Sequence, residues 1–230
     1  MKFKIWKREL KFNLETKEII YKDKIFTPAI RTYWDMKSMY KQSSDLKLDH
    51  WLYFMYRDVF FDEKDKKILR ENKIRYDITI ILPELIWKEY NKTYGHYHPK
   101  NSLWKKYQEL YQVISWNAIY LQQSDNKNFF TITNSGQAVN MDEWFWHITI
   151  NNTKKDLLIM ANLVDETFDS TYDDYKKNIW WTYYLLKDWW EKNYNYKNEL
   201  RLEEGTQKFD IDISIYDDFI NNPKKFNYLH

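Results

Sequence analysis

The chain has 230 residues, enough for one or two domains with a buried core. Its 36 lysines and arginines nearly balance 34 aspartates and glutamates, and the two signs are interleaved, which argues against a dedicated nucleic-acid-binding protein. There is no cysteine, so disulfides and thiolate metal sites are excluded. No apolar run approaches the roughly 18 residues of a membrane span. We therefore expect a cytoplasmic protein that binds neither nucleic acid nor membranes.

Strand patterns dominate the chain from its start. Residues 10–21 predict one or two strands, residues 29–41 a helix, residues 51–61 an aromatic strand, and residues 62–73 a charged loop or short helix. Short strands then recur over residues 74–82, 87–94, 110–122, 129–133, 138–141, 147–151 and 156–163. Two more follow over residues 182–187 and 192–197, and an alternating apolar patch covers residues 209–215.

Many short strands separated by turn residues are typical of an all-β sandwich or barrel. No repeat, low-complexity tract or linker divides the chain. We therefore predict one all-β domain, with a core over about 51–197, an N-terminal extension over 1–50 and a C-terminal extension over 198–230.

The histidines form the clearest chemical pattern. His96 and His98 are separated by one residue, so on a strand both rings lie on the same face and reach the same ion. Glu109 and His147 follow in later predicted strands. Taken singly, a His-x-His pair is more commonly two polar residues on a wet face, and one histidine more commonly a structural residue. Together, three imidazoles and a carboxylate suit Fe(II), Mn(II), Ni(II) or Zn(II).

This pattern resembles both halves of the cupin signature. The His-x-His pair and the later glutamate match the first half, and Gly136, His147 and Asn151 match the second half in register. The chain departs from the signature where Trp116 and Trp144 stand at its two glycine positions. The resemblance implies the cupin fold, a double-stranded β-helix that forms a jelly-roll barrel.

The amino-acid sequence around these residues is more specific than the cupin signature. Residues 92–99 read Lys-Thr-Tyr-Gly-His-Tyr-His-Pro and residues 107–113 read Tyr-Gln-Glu-Leu-Tyr-Gln-Val. Both segments resemble the cupin-type glucose-6-phosphate isomerases, and the resemblance covers about 51–197. It implies a metal-dependent enzyme that interconverts glucose 6-phosphate and fructose 6-phosphate. We expect Fe(II) as the metal, with Mn(II), Ni(II) and Zn(II) as alternatives.

The resemblance also implies roles for individual residues. The implied metal ligands are His96, His98, Glu109 and His147, and the implied catalytic residues are Glu109 and Tyr111. The implied substrate-binding residues are Thr79, Thr93, Gly95, Tyr97 and Tyr56, with Tyr53 as an alternative to Tyr56. A further histidine and tyrosine of the family have no clean match, and Tyr172 is the nearest candidate. The basic residues Arg57, Lys88 and Lys92 are further candidates for binding phosphate, although most lysines simply lie in solvent.

Several functional alternatives stay open. Glu109 would act as the base of a proton transfer, whereas a hydride shift would need no base. The alternatives to a glucose-6-phosphate isomerase are a mannose-6-phosphate isomerase, another metal-dependent cupin enzyme such as a small oxygenase, and a non-catalytic sugar-binding cupin. We also expect a homodimer, the commonest assembly, with the segment over 10–21 pairing between subunits.

The glycine and tryptophan counts are abnormal. The chain has 3 glycines and 12 tryptophans, whereas an average composition gives about 16 glycines at this length. Tryptophans occupy positions where a turn or the family pattern favours glycine: Trp87, Trp116, Trp144, Trp146, Trp180, Trp181, Trp189 and Trp190. The plain alternative is an aromatic-rich protein. We predict instead that most of these residues are glycines in the natural protein, translated as tryptophan from UGA codons that encode glycine.

Overall fold

The computed structural model describes residues 1–96, 99, 107–168, 181–196 and 200–230. Its strands are β1 (Lys2–Ile5), β2 (Arg8–Asn13), β3 (Glu18–Tyr21), β4 (Lys24–Phe26), β5 (Ala29–Thr32), β6 (Trp51–Tyr56), β7 (Ile74–Ile81), β8 (Leu85–Ile86), β9 (Glu89–Tyr90), β10 (Glu109–Ser115), β11 (Asn117–Gln123), β12 (Asn128–Asn134), β13 (Gln137–Met141), β14 (Trp146–Asn151), β15 (Leu158–Asp165), β16 (Tyr183–Leu185), β17 (Trp190–Lys192), β18 (Leu202–Glu204) and β19 (Lys208–Asp210). The described α-helices are α1 (Tyr33–Met36), α2 (Glu63–Glu71) and α3 (Ile215–Asn221), and 3₁₀ helices cover Lys37–Met39 and Pro223–Leu229. This composition confirms the predicted all-β fold class.

Two packed sheets form the body of the molecule. The larger has seven strands in the order β19-β13-β10-β15-β7-β6-β5, and the smaller has four in the order β14-β11-β12-β18. Apolar side chains from both sheets form the layer between them, among them Val113, Met160, Leu121 and Ile148. This is the two-sheet arrangement of the predicted jelly-roll barrel. None of the described helices is long and apolar enough to cross a lipid bilayer.

The outer face of the seven-stranded sheet packs in the apolar core, and its inner face lines a cavity; strand β7 contributes to both. Its residues alternate, and one set packs into an apolar cluster with α2, α3 and the N-terminal strands: Ile74, Tyr76, Ile78 and Ile80. The residues between them point to the opposite, inner face and line a cavity: Arg75, Asp77 and Thr79. Because strand side chains alternate with period two, one strand serves both the outer core and the cavity.

Strands β1 to β4 form a separate four-stranded sheet that covers the outer face. Helix α3 packs on the same side, and Ser214 caps its first turn by accepting a hydrogen bond from Asp217 N–H. Arg8 of β2 donates to both carboxylate oxygens of Asp217, at 2.7 and 2.8 Å. These contacts tie the two ends of the chain to the barrel.

Several sequence predictions of local structure were wrong in part, including the strands predicted over 87–94 and 192–197, of which only residues 89–90 and 192 are strand. Residues 29–32 form strand β5 rather than the start of a helix, because they pair with β6 in the large sheet. The predicted strand over 110–122 is two strands, which separate at Trp116. The predicted apolar strand over 209–215 ends at residue 210, and α3 begins at residue 215.

Most of the described tryptophans lie at the surface. Those with exposed side chains are Trp6, Trp34, Trp51, Trp87, Trp116, Trp144 and Trp189. Trp6, Trp87 and Trp116 have a positive φ. Trp189 and Trp190 do not form a turn of their own, because Trp190 begins β17 and Trp189 ends the loop from β16, where its carbonyl accepts a hydrogen bond from Leu186 N–H. Trp180 lies outside the described residues.

Candidate active site

Two of the predicted metal ligands are brought together by strand pairing. Residues 92–96 run antiparallel to β14, with bridges from Lys92 to Ile150 and from His96 to His147. The two imidazole rings meet edge to face, with centroids 4.5 Å apart. The hydrogen-bonded pairing of this segment with β14 therefore fixes two imidazoles side by side.

Glu109 completes a three-residue cluster. It is the first residue of β10, on the inner face of the large sheet, and its Oε2 lies 3.1 Å from His147 Nε2 and 3.5 Å from His96 Nε2. The three ligand atoms all lie within 4.8 Å of one another. Two imidazole nitrogens and a carboxylate oxygen that converge in this way suit a divalent transition metal. His98, the fourth predicted ligand, lies outside the described residues.

Asn162 orients the carboxylate of Glu109. It lies on β15, opposite Tyr111 of β10, and its Nδ2 donates to Glu109 Oε1 at 2.7 Å. Hydrogen bonds of this kind fix the orientation of a ligating group and tune its affinity for metal. Sequence reasoning did not assign Asn162 a role, although a buried amide in a strand of apolar residues was a usable signal.

The cluster opens into a cavity of about 400 Å³ on the inner face of the seven-stranded sheet. The predicted site residues that line it are Thr79, Thr93, His96, Glu109 and Tyr111. Tyr53, the alternative to Tyr56, also lines it, and its hydroxyl accepts a hydrogen bond from Tyr94 N–H at 3.0 Å. Gly95 and His147 are buried beside the cavity.

The two candidate tyrosines of β6 lie on different faces of the large sheet. Tyr56 points to the outer face of β6, where its hydroxyl donates to the carbonyl of Lys17 at 2.6 Å. Because Tyr53 and Tyr56 are three residues apart on one strand, they face opposite sides of the sheet. Tyr53 is therefore the cavity residue of this pair. Tyr97 and Tyr172 lie outside the described residues.

A family model described as glucose-6-phosphate isomerase (GPI) matches residues 30–201. The chain belongs to this family. The matched region contains all four predicted metal ligands and the cavity. No curated protein matches the sequence significantly.

Comparison with solved structures finds vicilins and an oxalate oxidase. Vicilin from Capsicum annuum is 11% identical, with a TM-score of 0.41 over 63% of this chain and 31% of its own. Vicilin from Corylus avellana (hazelnut) is 9% identical, with a TM-score of 0.41 over 63% and 32%. An oxalate oxidase in complex with the substrate analogue glycolate is 11% identical, with a TM-score of 0.36 over 45% and 47%. The aligned part spans less than half of each of these proteins.

Two lysines considered for phosphate binding lie away from the cavity of this GPI-family chain. Lys92 is buried and forms an ion pair with Glu89. Its ammonium group also lies 5.1 Å from the ring centroid of Tyr40 and 5.3 Å from that of Tyr184. Burial raises the pKa of Glu89, and the charge of Lys92 opposes that shift. Lys88 lies in the turn between β8 and β9. Lys92 therefore has a structural role directly before the Thr93 to His96 segment.

Both arginines and carboxylates line the cavity, and some of these charges are paired with each other. Arg75 Nε donates to both carboxylate oxygens of Asp77, at 2.8 and 2.9 Å. Burial raises the pKa of Asp77, and the charges of Arg75 and Arg57 oppose that shift. Burial, and then the charge of Glu109, raise the pKa of Tyr111 well above its ordinary value, so its hydroxyl keeps its proton. Arg31, which sequence reasoning did not single out, also lines the cavity.

Proposed function

We propose that the protein is a metal-dependent cytoplasmic isomerase that interconverts glucose 6-phosphate and fructose 6-phosphate. One observation supports this most strongly. In a chain of the GPI family, Glu109 and two imidazoles converge at the edge of a cavity of about 400 Å³. A cavity of this size suits a small molecule such as a sugar phosphate.

The residues present fit a divalent metal ion. His96, Glu109 and His147 supply two nitrogens and one oxygen, and His98 would supply a fourth ligand, with Fe(II) as the expected ion. A bound divalent ion would polarise the sugar carbonyl and stabilise the negative charge that develops on the oxygens of C1 and C2. Asn162 would keep the carboxylate of Glu109 correctly oriented beside the ion.

Glu109 can also move the proton once its carboxylate swings off the metal ion. Isomerisation transfers a hydrogen between C2 and C1, and a carboxylate held at the cavity edge can take it from one carbon and return it to the other. The protonated hydroxyl of Tyr111, on the same face of β10, can donate to a substrate oxygen. Exchange of the transferred hydrogen with deuterated water distinguishes this route from a hydride shift, in which that hydrogen is retained.

Glu109→Gln is the variant that tests the assignment. We expect it to lose most of the isomerase rate, with kcat reduced by about 100-fold or more, since general-base catalysis contributes about 10²–10⁴. Glu204→Gln makes the same chemical change at an exposed position of β18 and keeps the wild-type rate. Equal rates in the two variants would contradict a catalytic role for Glu109. Mannose 6-phosphate, assayed in parallel, measures the breadth of substrates.

A further inference from the structure

We propose that Arg31 binds the phosphate group of the substrate and selects phosphorylated over unphosphorylated sugars. The identity of the sugar rests on the proposed function, whereas the presence of an anion site at Arg31 does not. The position of Arg31, the charges around it and the chemistry of its guanidinium group each support the inference.

Arg31 lies at the end of the cavity away from the metal cluster. It is on β5, the edge strand of the seven-stranded sheet, directly opposite Tyr53 of β6. Glu109 is on β10, four strands further across the same sheet, and both residues line the cavity. Neighbouring strands are about 4.8 Å apart, so the two backbones are separated by about 19 Å along the sheet. The long side chains of both residues line one cavity of about 400 Å³, and this brings their charged groups to the same ligand.

Arg31 is one of several arginines at this cavity. The chain has six arginines, and Arg31, Arg57 and Arg75 all line this one cavity, whereas no described lysine does. Arg75 pairs with Asp77, and Asp77 also senses the charge of Arg57. Within the described part of the chain, no carboxylate pairs with Arg31. Arg57 also has no ion pair among the described residues, but it is exposed, so Arg31 is the half-buried cation of this cavity that is left to attract an anionic ligand.

The guanidinium group is also chemically suited to phosphate. Its Nε is buried and has no hydrogen-bond partner among the described residues, and a planar guanidinium binds two phosphate oxygens at once. Thr79 lines the cavity on the strand next to β6. Thr93 Oγ1 accepts a hydrogen bond from Thr149 N–H at 3.0 Å, so its own hydroxyl hydrogen can be donated to a ligand. Arginine and two hydroxyls together make a donor set for a phosphate dianion.

Binding to the metal-free protein tests this inference independently of catalysis. Calorimetry with fructose 6-phosphate, fructose and inorganic phosphate compares the wild type with Arg31→Gln, Arg31→Lys and the exposed control Arg201→Gln. We expect Arg31→Gln to weaken fructose 6-phosphate binding by about 10- to 100-fold, the range for a lost charged hydrogen bond. Arg31→Lys loses less, because it keeps the charge, and Arg201→Gln matches the wild type. Fructose binding is the same in all four proteins.

The outcomes separate the two proposals. If inorganic phosphate binds in a way that depends on Arg31, the anion site is supported. If the metal-loaded wild type then shows no isomerase activity, the proposed function is contradicted while the anion site stands. Equal binding of fructose 6-phosphate by wild type, Arg31→Gln and Arg201→Gln would overturn the anion site. Failure of the wild type to bind either phosphate compound would overturn it as well. If Arg31→Gln does not fold, Arg31→Lys decides by the same comparison.

An independent observation concerns the tryptophans, and we infer that Trp6, Trp87 and Trp116 are glycines in the natural protein. Among the described residues, seven that are not glycine have a positive φ, and three of them are tryptophan, with φ values of 51°, 57° and 71°. A bulky residue in this left-handed region is a genuine outlier, whereas glycine adopts it freely.

The local structure around each residue is one that favours glycine. Trp6 is the first residue of the two-residue loop between β1 and β2, closed by the pair Ile5 and Arg8. Trp87 has the same position between β8 and β9, closed by Ile86 and Glu89. Glycine is strongly favoured in such hairpin loops. All three tryptophan side chains are also exposed, although tryptophan is usually among the more buried residues.

Trp116 joins the two sheets and stands at a glycine position of the cupin signature. It is the single residue between β10 and β11, and its carbonyl accepts a hydrogen bond from Ser135 N–H at 3.0 Å. A genetic code in which UGA encodes glycine accounts for all three positions at once. The same reassignment accounts for the low glycine count.

Two measurements test this inference. The intact mass of the protein from its native cells is expected to fall below that of the printed sequence by a whole number of tryptophan-to-glycine differences. In recombinant protein, Trp6→Gly, Trp87→Gly and Trp116→Gly are each expected to raise the midpoint of thermal unfolding by about 2–4 °C. The exposed Trp34→Gly, in the helical backbone of α1, does not raise it. A native mass that matches twelve tryptophans would overturn the inference.

Discussion

His96 and His147 lie directly opposite each other in an antiparallel bridge, although they are far apart in the sequence. Their rings meet edge to face, and Glu109 Oε2 lies within 3.5 Å of the Nε2 atom of each. The first half of the signature therefore contacts the second half through main-chain pairing. The candidate metal site depends on this pairing as well as on the side chains themselves.

The double variant His96→Ala/His98→Ala is expected to remove the bound metal. With two imidazoles gone, Glu109 and His147 alone give too few ligands for a stable site. Metal analysis of purified protein measures this, with one divalent ion per chain expected in the wild type. His50→Ala is the control, because His50 pairs with Glu84 instead of joining the cluster. Full metal occupancy in the double variant would contradict the site.

Asn162→Ala is expected to weaken metal binding by about 10- to 100-fold, because the hydrogen bond to Glu109 Oε1 is lost. Titration of the metal-free protein with the ion measures the dissociation constant. Asn134→Ala, at an exposed position of β12, should leave that constant unchanged. If both variants bind the ion as the wild type does, Asn162 does not support the ligand.

Lys92→Met is expected to destabilise the fold by about 3–5 kcal/mol, because it leaves the buried carboxylate of Glu89 without its partner. Denaturant unfolding gives the free energy. Adding Glu89→Gln to Lys92→Met should restore part of the loss, since the buried charge is then removed. A loss below about 1 kcal/mol in the single variant would show that the pair contributes little.

We predict a homodimer. Residues 10–21 are used within the subunit, where β2 and β3 pair with each other and with β1 and β4. Strand β4 forms an edge of that sheet, with Ile25 exposed, and an edge strand of this kind can pair with its counterpart across a two-fold axis. Light scattering at micromolar concentration should give twice the chain mass, and a monomer mass would contradict the prediction.

The parts of the site that belong to short sequence motifs could be predicted from the sequence. The sequence spacing singled out His96, Glu109 and His147, and the three side chains do converge in the structure. They converge because each lies on or beside a strand whose inner face is fixed by strand pairing. Residues whose role depends on the partner strand were harder to predict. Arg31 reaches the cavity only because β5 pairs with β6, and the sequence pattern there had favoured a helix.

The choice between Tyr53 and Tyr56 shows a second limit. Both are aromatic residues of one buried strand, and which one faces the cavity depends on the sheet that covers the outer face. The break at Trp116 was likewise hidden, because tryptophan normally continues a strand. Glycine at this position would have indicated the turn directly.

Isomerisation of fructose 6-phosphate by the metal-loaded protein tests the central claim most directly. Protein with one divalent ion per chain is incubated with fructose 6-phosphate, and the glucose 6-phosphate formed is measured with a coupled dehydrogenase. The account predicts steady formation of glucose 6-phosphate, its loss when the ion is chelated and its return when the ion is added back. Folded, metal-loaded protein that leaves fructose 6-phosphate unchanged would contradict the account.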